Sequence, residues 1–363
     1  MTGTDVLRGI SPSPQPSPGG RGSKTELLAI VDALRESRGF AHKRDISDIV
    51  GALGRHHSGG AAAMTQAVAI GDDCAAIPDG DGGYLLFAIE GFVDDFVAHM
   101  PWFAGYCGVM VNVSDIYAMG GRPIAVVDAL WSQGMDPADE VLKGMAAASE
   151  RYAVPIVGGH SNNRSLRGQL AVAILGRARK LLTSFDAQPG DDLVMAVDLR
   201  GGWQEPYPYW NASTGAPGSR LRADLEVLPM LAEDGLCDAA KDISMAGALG
   251  TALMLLECSQ VGARIALDAM PRPAEVEDDT QFMRWLSAFP SYGFMLSVRP
   301  DKTQRVLERF NARAIACAVI GQVTRGSEVR LSHAGEADDA LLWDFEDKPF
   351  ITARKTNVEV AHA

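Results

Sequence analysis

The sequence predicts an α/β or α+β protein of two domains, and three observations predict it. Apolar runs of strand length alternate with segments of helical periodicity. A stretch rich in turn formers, TSFDAQPGD at 183 to 191, breaks that alternation. The 363 residues, 47% of them apolar, suffice to fill two cores.

In chain order, residues 1 to 23 are rich in Pro, Ser and Gly and lack the apolar core of a signal peptide, which predicts a disordered arm. Residues 24 to 185 are read as the N-terminal domain. Within it, KTELLAIVDALRES repeats apolar residues at helical spacing, and DISDIVGALGRHH starts at a capping residue, Asp45, and ends near a glycine. QAVAIG, YLLFAIE, PIAVVDALW and QLAVAILGRA read as strands, separated by the helix-like FAGYCGVMVNVSDIYAMG and DEVLKGMAAASERY. Residues 190 to 345 are read as a C-terminal α/β domain, and 346 to 363 as a polar tail. The insertion at 201 to 220 gathers Trp203, Tyr207, Tyr209 and Trp210 among prolines and glycines. Such a loop either stacks on a flat ligand or packs on its own domain.

Composition narrows the function. A net charge of −13 and a pI near 5.0 argue against a holder of nucleic-acid backbones, which needs a basic footprint. No run approaches the roughly 18 apolar residues of a membrane span. The five cysteines, at 74, 107, 237, 258 and 317, form no CxxC pair, which fits the reduced thiols of a cytoplasmic protein. Cys74 adjoins an acidic turn, where neighbouring carboxylates raise a thiol pKa rather than activate it.

Three segments carry chemistry. In IGDDCA, Asp72 and Asp73 follow Gly71 at the end of an apolar strand-like run, which presents two carboxylates at a strand mouth, where a turn alone would also place them. Magnesium accepts a few such oxygens together with water and phosphate. In VNVSDIYAMGGRP, a helix is expected over Asn112 to Met119, with Asp115 in its first turn and Gly120 and Gly121 as its stop. In VGGHSN, Gly158 and Gly159 suggest a turn that permits close backbone approach to a ligand.

With these segments in this order, the chain resembles the AIR-synthase-related, or PurM-like, superfamily of ATP-dependent proteins over roughly residues 40 to 330. It is also similar to thiamine-monophosphate kinase, but Glu90 and His160 stand where that pattern has aspartates. KDISMAGALGTAL, VGARIALDAMP and SYGFMLSV resemble the second domain of the same proteins. The resemblance implies a PurM-like two-domain fold, in which the N-terminal sheet forms a dimeric β-barrel with a second copy. It implies a kinase or synthetase that uses ATP and Mg²⁺ on an unidentified small metabolite. Asp72 or Asp73, Glu90 and Asp115 would hold the metal, and Asn112, Gly158, Gly159 and Ser161 the nucleotide. His160 would be the catalytic side chain, while Arg122 and Arg164 rank behind the acids as phosphate contacts. The rival expectation is an ATP-binding maturation or regulatory protein acting on a partner protein. A C-terminal cysteine acceptor would favour it, and the sequence ends in VEVAHA.

Overall fold

The computed structural model describes residues 24–56, 72–333 and 339–352. The expected arm at 1 to 23, the QAVAIG strand with Gly71, His57, and the tail beyond 352 lie outside the described residues.

Two helices open the described chain, α1 (Lys24–Arg35) and α2 (Arg38–His56). There follow β1 (Ala75–Pro78), β2 (Tyr84–Phe92), α3 (Asp94–His99), α4 (Pro101–Ala118), β3 (Arg122–Gln133), α5 (Met135–Tyr152), β4 (Ile156–Asn162) and β5 (Arg164–Ala178). The five strands form one sheet in the order β1-β2-β5-β3-β4, antiparallel except for the parallel pair β3 and β4. Strand alternation divides its faces. Leu86, Val126, Leu130, Leu170, Val172 and Ile174 are buried in one core with residues of α4 and α5. Phe87, Ile89, Val127 and Leu175 project from the opposite face and are exposed. The sheet is open, with β1 and β4 as its edges, so the barrel expected from the resemblance is not closed within one chain.

Helix α4 is buried almost all round, and its crossing with α5 depends on two glycines. A Cβ on Gly105 would lie 2.0 Å from the Val141 carbonyl oxygen, and one on Gly144 would lie 1.9 Å from that of Trp102. Only residues without a side chain allow the two backbones to approach this closely.

The second half comprises β6 (Asp192–Val197), β7 (Gly202–Gln204), β8 (Tyr209–Asn211), α6 (Gly218–Leu225), α7 (Val227–Glu233), β9 (Ala239–Asp242), α8 (Gly247–Cys258), β10 (Gly262–Ala266), α9 (Asp279–Leu286), β11 (Gly293–Val298), α10 (Pro300–Asn311), β12 (Ala316–Thr324), β13 (Glu328–Ser332) and β14 (Ala340–Asp344). Seven strands pair in the order β14-β13-β10-β12-β6-β11-β9, and β7 with β8 makes a separate hairpin. Unlike the first sheet, this one has its centre covered on both faces. Leu193, Met195 and Val197 join a core with α8, whereas Val194 and Ala196 join one with α7 and α10. The whole is the mixed α/β, two-domain architecture that the alternation of segments predicts.

Five expectations require correction. The helix expected to start at a cap on Asp45 begins at Arg38, so Asp45 lies within α2. The helix bearing Asp115 begins at Pro101 rather than Asn112, so Asp115 lies in its last turn, where the helix dipole disfavours a carboxylate. It does stop before the glycines, with Gly120 at φ +73°. The Gly-Gly-His segment is the edge strand β4, not a turn, because pairing with β3 holds it extended. Although read with the N-terminal domain, α1 and Phe40 bury their apolar side chains in the core of the second sheet. The tail is not polar throughout, since Phe350 and Ile351 are buried in that same core.

Candidate functional site

Each acid of the site stands at the end of an element. Asp72 and Asp73 occupy the bend before β1, Asp115 the last turn of α4, Asp242 the last position of β9, and Glu90 lies near the end of β2 on its helix-covered face. Carboxylate oxygens of Asp73, Asp115 and Asp242 all lie within 4.8 Å of one another. The arrangement is anchored from beneath. Asp72 accepts hydrogen bonds from the Ser184 backbone N–H (2.7 Å) and hydroxyl (2.6 Å), and Asp73 accepts from Lys241 Nζ and from the Asp242 N–H (3.2 Å). Buried Lys241 also lies 3.9 Å from Asp72.

Electrostatics set these acids apart. Burial pushes Asp115 well above the usual carboxylate range, reinforced by the charges of Asp242, Glu90 and Asp73 and opposed by Lys241. Asp242 is raised by burial and by Asp73, against the pull of Lys241 and Lys43. Glu90 is raised by burial, with Lys43 opposing. Asp72 is pushed up to about 6, chiefly by burial. For Lys241, burial works against the charge, but the Asp73 and Asp72 carboxylates outweigh it and hold the ammonium protonated. Burial and the adjoining acids keep the Cys74 thiol protonated, so it is packing and not a nucleophile.

Asp115 Oδ2 and Asp242 Oδ2 are buried and have no hydrogen-bond partner. Orphaned anionic oxygens inside a protein are costly unless something positive meets them. A hard divalent cation fits this all-oxygen donor set.

The acids form one end of a cavity of about 510 Å³. His42, Lys43 and Ile46 of α2 line it as well, and Phe92, Phe96, Tyr209 and Phe289 make an aromatic region. The aromatic insertion divides its work. Trp203 and Trp210 pack edge-on against Trp285, with centroids 6.3 and 5.3 Å away, and the Arg284 guanidinium sits 4.1 Å above the Trp203 ring. Tyr207 and Tyr209 stack at 4.9 Å, and Tyr209 reaches the cavity against Phe289.

Of the residues singled out in the sequence, Asp72, Asp73, Glu90 and Asp115 come together here. Asn112 does not line the cavity. Its side-chain amide donates to the Gly108 and Val172 carbonyls (2.8 and 3.0 Å), pinning α4 to β5. Gly158, Gly159, His160 and Ser161 lie exposed on edge strand β4, outside the cavity of a single chain, with the His160 ring 6.1 Å from Trp131. Arg122 is engaged by Glu226 (2.9 Å) and Glu233 (2.7 Å), an interdomain ion pair rather than a free phosphate contact, and Arg164 is exposed at the start of β5. Sequence reasoning missed Asp242, Lys241 and Lys43. A signal for the first two exists: Lys241-Asp242 closes a short apolar run ahead of a glycine-rich helix, the same acid-at-strand-mouth pattern as Asp72-Asp73.

Residues 71–178 match the AIR synthase related protein, N-terminal domain, and residues 212–334 match the C-terminal domain of the same description. The chain belongs to the AIR synthase related family. The acid cluster of this family member therefore draws on both domains, with Asp73, Glu90 and Asp115 from the first and Asp242 from the second. The uncharacterized protein sll0787 of Synechocystis sp. is 47% identical over 324 residues, 89% of this chain and 97% of that protein. Thiamine-monophosphate kinase of Synechococcus elongatus is 27% identical over 290 residues, 72% of this chain and 85% of the kinase. Among solved structures, T. maritima PurL complexed with ADP is similar with a TM-score of 0.68 at 20% identity, a likeness of fold. That match covers 91% of this chain but 52% of PurL, so the chain spans about half the length of that relative. T. maritima PurL, similar in fold, is known complexed with ATP as well as with ADP. Among the described residues no helix is long and apolar enough to cross a membrane.

Proposed function

We propose that this protein is a Mg²⁺-ATP-dependent kinase or synthetase that transfers a phosphoryl group to a small metabolite bound in the acid-lined cavity. The observation that carries the reading is the pair of buried, partnerless oxygens on Asp115 and Asp242, two acids that with Asp73 bring carboxylate oxygens within 4.8 Å of one another. Asp73, Asp115 and Asp242 would hold the metal, with Glu90 beside them. Bound magnesium supplies the positive charge that neutralises phosphate and stabilises the charge of phosphoryl transfer. The chain's own contribution is positioning: Ser184 fixes Asp72, Lys241 fixes Asp73, and Lys43 offers an ammonium from α2 for a phosphate oxygen. A kinase among the relatives and a fold shared with an ADP-bound protein support the reading.

We also infer a homodimer. The exposed Phe87, Ile89, Val127 and Leu175 form an apolar sheet face of the kind that a second copy covers. The roles proposed for His160, Gly158, Gly159 and Ser161 require such an assembly, because β4 lies three strands from Glu90, roughly 14 Å across the sheet.

Calorimetric titration of ATP and a non-hydrolysable analogue, with and without Mg²⁺, tests the proposal. Magnesium-dependent binding that Asp115→Asn weakens about a hundredfold is the expected result, followed by a screen of candidate acceptors for ADP release. Absence of binding in every condition would sink it.

A further inference from the structure

The cavity is walled in part by the two ends of the described chain. After β14 the backbone turns back as a strap, residues 345 to 352, whose last two residues, Ile351 and Thr352, line the cavity. The strap is held by one side chain. Glu257, near the end of α8 and buried, accepts the backbone N–H groups of Phe350 (2.8 Å), Ile351 (2.7 Å) and Thr352 (3.2 Å), and the Thr352 hydroxyl (2.8 Å). Four donors converging on one carboxylate fix position as well as energy, since charge-assisted bonds are short and directional. Phe350, fully buried, packs edge-on against Phe40 of α2 and Trp343 of β14, both at 5.2 Å between centroids. Phe40 stands two residues before His42 and three before Lys43, so the same cluster that seats the strap also seats the cavity-lining turn of α2.

This anchoring presents a particular surface. Ile351 lines the cavity, as do the apolar side chains of Ile46, Met245 and Met254, in contrast to the acids of the same cavity. A strap of this kind needs no buried carboxylate to be tied down, because desolvating a charge is costly and apolar packing suffices. Four bonds to Glu257 set the position of Ile351 and Thr352 specifically.

We propose that the strap is a ligand-contacting wall. Ile351, with Ile46, Met245 and Met254, receives the uncharged apolar part of the nucleotide whose phosphates are held at the acid cluster, and Glu257 is the positioning residue that holds the wall in place. The inference rests on the Mg²⁺-nucleotide reading given above. It makes Ile351 a determinant of which ligands the cavity admits.

The test measures affinity for Mg²⁺ with a non-hydrolysable ATP analogue by calorimetry, in the full chain and in Ile351→Ala, Glu257→Gln and Thr352→Trp. Binding of Mn²⁺ alone and thermal unfolding are followed in parallel. Ile351→Ala removes three carbons of apolar contact and is expected to weaken nucleotide binding about tenfold. Glu257→Gln is expected to do the same while leaving Mn²⁺ affinity unchanged, a separation that general unfolding would not give. Thr352 is exposed, so Thr352→Trp is expected to fold even if the buried-site variants do not; it keeps the backbone bonds to Glu257 while giving up the hydroxyl one, and its ring narrows the cavity and weakens binding at least as much. Unchanged nucleotide affinity in folded Thr352→Trp, with binding still weakened in Asp115→Asn, overturns the strap proposal and leaves the nucleotide reading standing. No nucleotide binding by the full chain overturns both.

Discussion

Asp198 and Asp224 lie buried between three guanidiniums. Arg200 and Arg220 both contact the two acids, and Arg313 contacts Asp224. Burial works against the Asp198 charge, but bonds from Arg200 outweigh it and hold this carboxyl below its ordinary range. The cavity contains the reverse arrangement. Five carboxylates, Asp72, Asp73, Glu90, Asp115 and Asp242, share the lysines Lys241 and Lys43, and two of their oxygens have no partner. Both groups come from several elements, yet only in the first does every carboxylate meet a guanidinium. A carboxylate cluster that serves folding is matched within the protein, whereas one left unmatched is kept for a positive species from outside.

The largest effect is expected from Asp115→Asn or Asp242→Asn, which should lower Mg²⁺-dependent nucleotide affinity about a hundredfold, as losing a direct metal ligand would. The same substitutions should leave cation-free thermal stability equal or higher, because each removes a charge that burial disfavours. Next comes Asp224→Ala, which leaves Arg313 without its carboxylate and takes one of two acids from Arg200 and Arg220, and should cost about 1 to 3 kcal/mol in denaturant unfolding, discounted because the arginines are partly exposed. Its nucleotide affinity should not change.

A smaller effect concerns pH. Asp115 and Asp242 have folded pKa values above their unfolded ones, so their contribution to stability is fully present below the unfolded carboxylate value, roughly 3.9, and is lost as pH rises through the raised folded values. Cation-free protein should thus lose stability as pH rises through that window. Added Mg²⁺ should flatten or reverse the trend, since it binds the deprotonated acids. Thermal unfolding across pH, with and without Mg²⁺, checks this, and identical curves would count against a cation site. The smallest effect is expected for Arg122→Ala. Its ion pairs with Glu226 and Glu233 are partly exposed, so the loss should be about 1 kcal/mol or less, with no change in nucleotide affinity.

Some of the site was legible in the sequence because of where its residues stand. Asp72-Asp73 after a glycine and an apolar run reads as acids at a strand mouth, and Asp115 stands in a recognisable element before Gly-Gly. The position of Asp115 on its helix was not legible. The segment from Phe103 reads as helix-like, but residues 102 to 111 are apolar because α4 is buried almost all round, so no amphipathic stripe fixes where the helix begins. Gly158-Gly159 carries turn propensity, but pairing with β3 overrides it. Lys43 and the strap were hidden for another reason. Their places depend on contacts across most of the chain, such as Arg35 with the Leu341 and Leu342 carbonyls and Glu257 with residues 350 to 352, which no local pattern encodes.

Asp242 offers the most direct test, because it comes from the second domain and completes the acid set. Mn²⁺, a paramagnetic stand-in for Mg²⁺, is titrated into the wild-type protein and into Asp242→Asn in the presence of the non-hydrolysable ATP analogue, with free Mn²⁺ read by electron paramagnetic resonance. Saturable binding in the wild type that weakens at least about tenfold in the variant is the predicted result. Equal Mn²⁺ affinity in the two proteins would contradict the assignment of these buried acids to a metal-nucleotide site.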